Sequence, residues 1–319
     1  MYYRGTGDRV VEKKFDVLGI GSYCIDYLCS VSAYPTEDEK LKADDIDVQG
    51  GGNIATACVA VGRLGGAVCY HGSVGKDDFT EQIVSGLKKE GVSTEYVSIR
   101  EGRNPLAFVV VNTANQSRTI IYFKEDIPRF GADDVDPELV RASKVLLIDF
   151  YHEEASLAAS RIAREAGVPV VVDAEKDSPL AEDILANATH VVASQRYALR
   201  VIGKDSAADK RELVEQFAQT VKSPNITVTL GKRGAVSLLK NGRRTIEQDA
   251  FDVDVVDTTG AGDVFHGAYA LFLAQGYPDE TILRRASACA AMKCRETGGR
   301  KGIPTQDELN GFLKDYEER

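Results

Sequence analysis

Positive charge is in short supply in this chain. Thirty-nine lysines and arginines stand against 49 aspartates and glutamates over 319 residues, for a net charge of −10. That balance argues against a surface built to neutralise a nucleic-acid backbone, which needs clustered Lys and Arg. Long apolar runs are also missing: none approaches the ~20 residues needed to cross a bilayer. The first residues, Met1-Tyr2-Tyr3-Arg4-Gly5, lack the apolar core of a secretory signal. We read residues 1–14 as a leader before the first strand, and the protein as cytoplasmic. The six cysteines form no Cys-x-x-Cys pair, and none sits at zinc-ligand spacing with a histidine. They read as reduced thiols filling small apolar sites. His71, His152 and His190 are isolated, and no residue is assigned directly to a metal. A Gly-Lys-Ser/Thr phosphate loop is absent, which excludes a P-loop enzyme.

What remains is an ordinary globular balance, 43% hydrophobic and 28% charged. The length suits one large domain with an appendage. Phe15 to Gly21, a short apolar run closed by glycines, reads as a central parallel strand. From residue 145 onward, short apolar strands alternate with ~10–15-residue helical stretches, the pattern of a doubly wound parallel α/β sheet. Segments at about 27–48 and 104–124 alternate differently and predict a small separate sheet. Asn241-Gly242 predicts a hairpin turn between strands near 235–239 and 243–247.

The chain is organised around Val255-Val256-Asp257-Thr258-Thr259-Gly260-Ala261-Gly262-Asp263. An apolar strand end runs into a Thr/Gly turn, and an apolar helix follows. The first turn of a helix has unsatisfied N–H groups that carry partial positive charge and attract anions. Glycines let a phosphate approach the backbone. A carboxylate there can take the proton from an attacking hydroxyl. The arrangement predicts phosphoryl transfer, with Asp263 as base and the amides of Gly260, Ala261, Gly262 and Asp263 as the cradle. His266, at i+3 from Asp263, can pair with it, although packing or capping is the commoner role at such a position.

The run Asp257-Thr258-Thr259-Gly260-Ala261-Gly262-Asp263 resembles the signature of the ribokinase-like (PfkB) carbohydrate kinases. The resemblance spans about residues 15–315. It implies a ribokinase-like fold whose small sheet is a lid over the sugar and a homodimer contact, with ATP and Mg²⁺ as phosphoryl donor. It implies sugar contacts at Asp26, Gly51, Gly52, Asn53, Thr56 and Asp263. ATP contacts fall at Thr229, Gly231, Gly234, Gly260 and Gly262, and a monovalent cation such as K⁺ falls at Asp257 and Thr259. Two departures stand out. Thr56 occupies the place of a sugar-binding Asn, and Ser194-Gln195-Arg196-Tyr197 replaces an Asn-x-x-Glu tied to Mg²⁺. The wording around Asp263 and Gly298-Gly299-Arg300-Lys301-Gly302-Ile303-Pro304 is most similar to a ketohexokinase-like and sulfofructose-kinase-like branch. The expected substrate is therefore a ketose or modified ketose, phosphorylated on a primary hydroxyl. Two alternatives stay open: a nucleoside kinase on the same fold, and a non-catalytic sugar-binding or scaffold protein.

Overall fold

A computed structural model describes residues 12–115, 117–207, 209–239 and 244–318. Most of the expected leader and the Asn241-Gly242 turn lie outside the described residues. Nine strands form one sheet in the order Arg244–Gln248, Ala235–Leu239, Asn225–Thr229, His190–Ser194, Val170–Ala174, Ser143–Ile148, Phe15–Ile20, Val68–Tyr70, Val92–Ser93. The first two are antiparallel additions, and the other seven run parallel.

Period-two alternation explains why this sheet is covered twice. Val17, Val145, Leu147 and Val171 point into one apolar layer, with helices Asn53–Arg63, Ala261–Ala274 and Asp279–Lys293. Leu18, Ile20, Leu146, Ile148 and Val172 point into the other, with helices Glu153–Glu165 and Lys210–Thr220. Helix Ala261–Ala274 packs on both Asn53–Arg63 and Asp279–Lys293, so its N-terminal turn is held from two sides. No helix among the described residues is long and apolar enough to cross a membrane.

Four strands make the separate small sheet, in the order Asp45–Gly51, Cys24–Val31, Leu106–Asn112, Ser117–Phe123. Its first strand begins at Cys24, earlier than the sequence pattern suggests, and so carries Asp26. One face holds Asp26, Ala107, Leu28 and Val109, with Arg118 on its edge strand. Leu28, Ala107, Val109 and Val111 form a small buried cluster there. The opposite face carries one cross-strand row, Val48–Tyr27–Phe108–Ile121. Tyr27 stacks on Phe108, and Ile121 is 61% exposed.

Candidate active site

The turn before helix Ala261–Ala274 depends on a left-handed residue. Gly260 is the N-cap, at φ 74°. A Cβ there would come within 2.7 Å of Gly299, so only glycine fits both the angle and the gap. Beside it the space is open: a Cβ built on Gly262 meets nothing within 4 Å. First-turn amides of a helix have no intrahelical acceptor; that of Ala261 turns back to Thr258 O at 3.3 Å, and the rest of this open turn presents donors to an anion.

The stretch leading into the turn differs from expectation. Residues 251–257 form no strand. The amides of Val256 and Asp257 instead both donate to Cys294 O, at 2.8 and 3.1 Å. Asp257 then folds the turn with its side chain. Its Oδ1 accepts from Thr259 N and Oγ1 (2.9 and 2.7 Å), and its Oδ2 accepts from Gly298 N at 2.8 Å. Burial alone would raise the Asp257 pKa, but these donors and the Lys293 ammonium bring it below the usual carboxylate range. The Lys293 ammonium itself donates to the main-chain Asp257 O at 2.8 Å.

Asp263, half-buried in the first turn of the helix, faces a buried ionisable cluster. Burial raises its pKa, and the neighbouring carboxylates Asp173 and Glu175 raise it further. A raised pKa makes a stronger base, closer to the operating range. His266 is wholly inside this cluster. Its Nδ1 lies 2.6 Å from Gly262 O, and its Nε2 lies 3.2 Å from Val192 O and 3.3 Å from Asp173 Oδ1. Every neighbour named is an acceptor, and a neutral ring has only one N–H. Burial pulls the pKa of His266 down, but Asp173, Asp263 and the two carbonyls raise it above the ordinary histidine value. Asn53 joins from the other side: its Nδ2 donates to Asp173 Oδ2 (2.9 Å) and Glu175 Oε2 (2.7 Å). Asn53 is therefore not the cap of its helix. Gly52, at φ 85°, holds that position.

The small sheet forms a second wall. Asp26 is buried, and the Cys24 thiol donates to its Oδ1 at 2.8 Å. Burial raises the Asp26 pKa, and Cys24 and the Arg300 charge oppose that rise. A Cβ on Gly51 would fall on the Asp26 carboxylate. Thr56, at the place of the expected Asn, accepts from Arg300 Nε at 3.3 Å, and Arg300 Nη2 donates to Gly51 O at 3.0 Å. A buried guanidinium thus ties the loop after residue 297 to the lid hinge. At the lid's far end Arg118 Nη1 donates to Thr258 Oγ1 at 2.6 Å.

Thr229 ends the strand beside His190–Ser194, where it pairs with Ser194, and Gly231 opens the short 3-10 turn Gly231–Arg233 that follows. Gly231 at φ 56° faces open space, whereas Gly234 at φ 83° is pressed against the Gln248–Asp249 backbone. Ser194 is a helix cap accepting from Tyr197 N, and Tyr197 is buried against Phe217. No carboxylate replaces the Glu of the Asn-x-x-Glu pattern at Tyr197. Among the described residues no group of three or more His, Cys, Asp and Glu could hold a metal ion.

The structure therefore brings Gly260, Ala261, Gly262, Asp263 and Asn53 to one edge of the large sheet, with Asp26, Gly51 and Thr56 on the lid side. Sequence patterns did not reveal Asp173 as the partner of His266, or the buried roles of Lys293 and Arg300. The signals were slight: a lone Lys on an Ala/Cys-rich helix, and a lone Arg in a Gly-rich loop. A family model for pfkB family carbohydrate kinases matches residues 14–306. The chain belongs to this family. A fructokinase from Solanum tuberosum is 28% identical to this carbohydrate kinase, covering 93% of the chain and 95% of the relative. A ribokinase from Bacillus subtilis is 26% identical over 92% of the chain and 98% of the relative. The structure of Arabidopsis thaliana ribokinase complexed with ribose and ATP superposes with a TM-score of 0.81, covering 94% of the chain and 99% of that chain at 24% identity. The fold of this pfkB kinase is accordingly ribokinase-like.

Proposed function

We propose that this carbohydrate kinase moves the γ-phosphate of ATP–Mg²⁺ to a primary hydroxyl of a small ketose or modified ketose. One observation carries the reading. A half-buried carboxylate of raised basicity, Asp263, stands in the same first helical turn as an open, glycine-lined amide cradle. Asp263 takes the hydroxyl proton, and the oxygen attacks the phosphorus in line. The amides of Gly260, Ala261, Gly262 and Asp263 meet the charge that builds on the transferred group. Mg²⁺ arrives as part of the nucleotide substrate. Asp26, Gly51, Gly52, Asn53 and Thr56 orient the sugar; Thr229, Gly231 and Gly234 flank the nucleotide. The lid keeps water from intercepting the phosphoryl group. Its exposed Val48–Tyr27–Phe108–Ile121 row fits a second copy of the chain, making a homodimer. Six unpaired cysteines agree with a reducing cytoplasm.

The test is ADP formation from ATP–Mg²⁺ across ketoses, aldoses, sugar acids and nucleosides. Turnover with a ketose supports the proposal. Turnover confined to nucleosides moves the substrate to the nucleobase class, and ATP binding without any turnover favours a binding role.

A further inference from the structure

We infer that Lys293 is a built-in monovalent cation that sets the phosphate turn and replaces a free metal ion. The inference rests on the kinase reading above. Its starting point is a misfit: the family resemblance points to K⁺ held by carbonyls at Asp257 and Thr259, and that ion does not fit this chain. The Asp257 carbonyl already accepts from Lys293 Nζ at 2.8 Å. The same ammonium lies 3.4 Å from Glu296 O. Lys293 is 0% exposed, and lysines are almost never fully buried unless they are paired. Two carbonyls from separate segments converge on it, which is how a protein holds a bare monovalent cation. Ammonium and potassium have nearly the same size, and a second positive charge beside the first would be repelled.

The position explains the use. Lys293 ends helix Asp279–Lys293. It fixes the main chain of Asp257, whose carboxylate folds Thr259 inward and anchors Gly298. Thr259 leads directly into Gly260, and Gly298 into the loop whose Arg300 grips Thr56 and Gly51. One cation thus sets both the phosphate turn and the wall beside Asp26. Burial lowers the Lys293 pKa and Arg118 opposes its charge, while Asp257, the Cys294 thiol and Asp263 favour it; the two carbonyls hold its ammonium protons. Lys293 touches no reacting atom and is a positioning residue.

The test compares chloride salts of K⁺, Na⁺, NH₄⁺ and tetramethylammonium at one ionic strength, reading both initial rate and thermal midpoint. The wild type should agree within about twofold in rate, because screening is constant, and its midpoint should not depend on the cation. Lys293→Met should lose on the order of 10²-fold in kcat/KM, the scale of a small misplacement of a reacting group. Lys293→Ala leaves room for a free ion, so K⁺ or NH₄⁺ should recover about tenfold and raise its midpoint by mass action, while tetramethylammonium should do neither. Several-fold activation of the wild type by K⁺ overturns the inference. So does a Lys293→Ala protein whose rate and midpoint ignore every cation. If Lys293→Ala does not fold, the wild-type salt series decides. The midpoints need no sugar, so they report on Lys293 even if no sugar is turned over and the kinase reading fails.

Discussion

The edge of the large sheet and the small lid sheet are built on opposite terms. At the sheet edge Asp173 and His266 are buried together, each held by a partner of fixed position, and the half-buried Asp263 faces them. On the small sheet, Gly51 and Arg118 tie it to the large domain, while the face opposite Asp26 leaves Val48, Phe108 and Ile121 in water. Chemistry needs the first kind of surface, because a carboxylate gains basicity where water is excluded and where other carboxylates crowd it. Closure and assembly need the second kind, because apolar area is worth burying only if it starts exposed. Substitutions at the edge should therefore act on the chemical step. Those on the lid should act on sugar affinity or on association.

Apart from the base itself, the largest effect is expected at Gly260. Gly260→Ala combines a left-handed angle, costing about 1–3 kcal/mol for a non-glycine residue, with a collision at Gly299. We expect kcat to fall on the order of 10²–10³-fold, as when a charge-stabilising donor is lost, and the thermal midpoint to drop. An unchanged kcat would remove the cradle from the mechanism.

Next comes Asp26→Asn. Hydrogen bonds to a charged group contribute about 1.5–3 kcal/mol, so KM for the sugar should rise roughly 10- to 100-fold while KM for ATP stays put. Equal changes in both would place Asp26 in global stability rather than in the sugar wall.

The pH profile sharpens the contrast between the two carboxylates. Asp263 must be ionised to accept a proton, and its pKa is raised. The acidic limb of kcat/KM should therefore lie near neutrality, falling about tenfold per pH unit below it. A limb at the ordinary carboxylate pH would contradict the buried cluster.

Smaller effects belong to the lid. Arg118→Ala removes one contact to Thr258, about 0.5–1.5 kcal/mol by hydrogen-bond measure, and should raise the sugar KM less than about tenfold. Ile121→Lys should halve the mass in solution scattering and leave kcat within about twofold, as exposed substitutions away from a site usually do. Loss of kcat with retained mass would show that the exposed row serves closure instead.

The fold was legible in the sequence because its signals are local and repeated. Buried parallel strands such as Val17–Ile20 read as apolar runs, and the phosphate turn is written in consecutive residues. Asp263 and the glycines before it were legible for the same reason. The side-chain wiring was not. Asp173 and His266 are 93 residues apart (266 − 173), and nothing near either one announces the other. Asn53 enters the sequence reading as a sugar contact, and nothing there shows that the carboxylates of Asp173 and Glu175 claim its amide. Residues 253–256 look like a strand, yet they form none, and the carbonyl of Cys294 takes the amides of Val256 and Asp257 instead. Lys293 and Arg300 were hidden because a charged residue in sequence reads as exposed. Only the packing shows that both are buried.

The central claim is that Asp263 is the base for transfer to a sugar. Single-turnover transfer of labelled γ-phosphate to the best sugar of the panel tests it most directly, for the wild type and Asp263→Asn, with nucleotide affinity measured alongside. We expect both proteins to bind ATP–Mg²⁺ with the same Kd, and the variant to transfer phosphate slower by about 10²–10⁴-fold, the range for loss of a general base. Transfer by the variant at the wild-type rate would contradict the account.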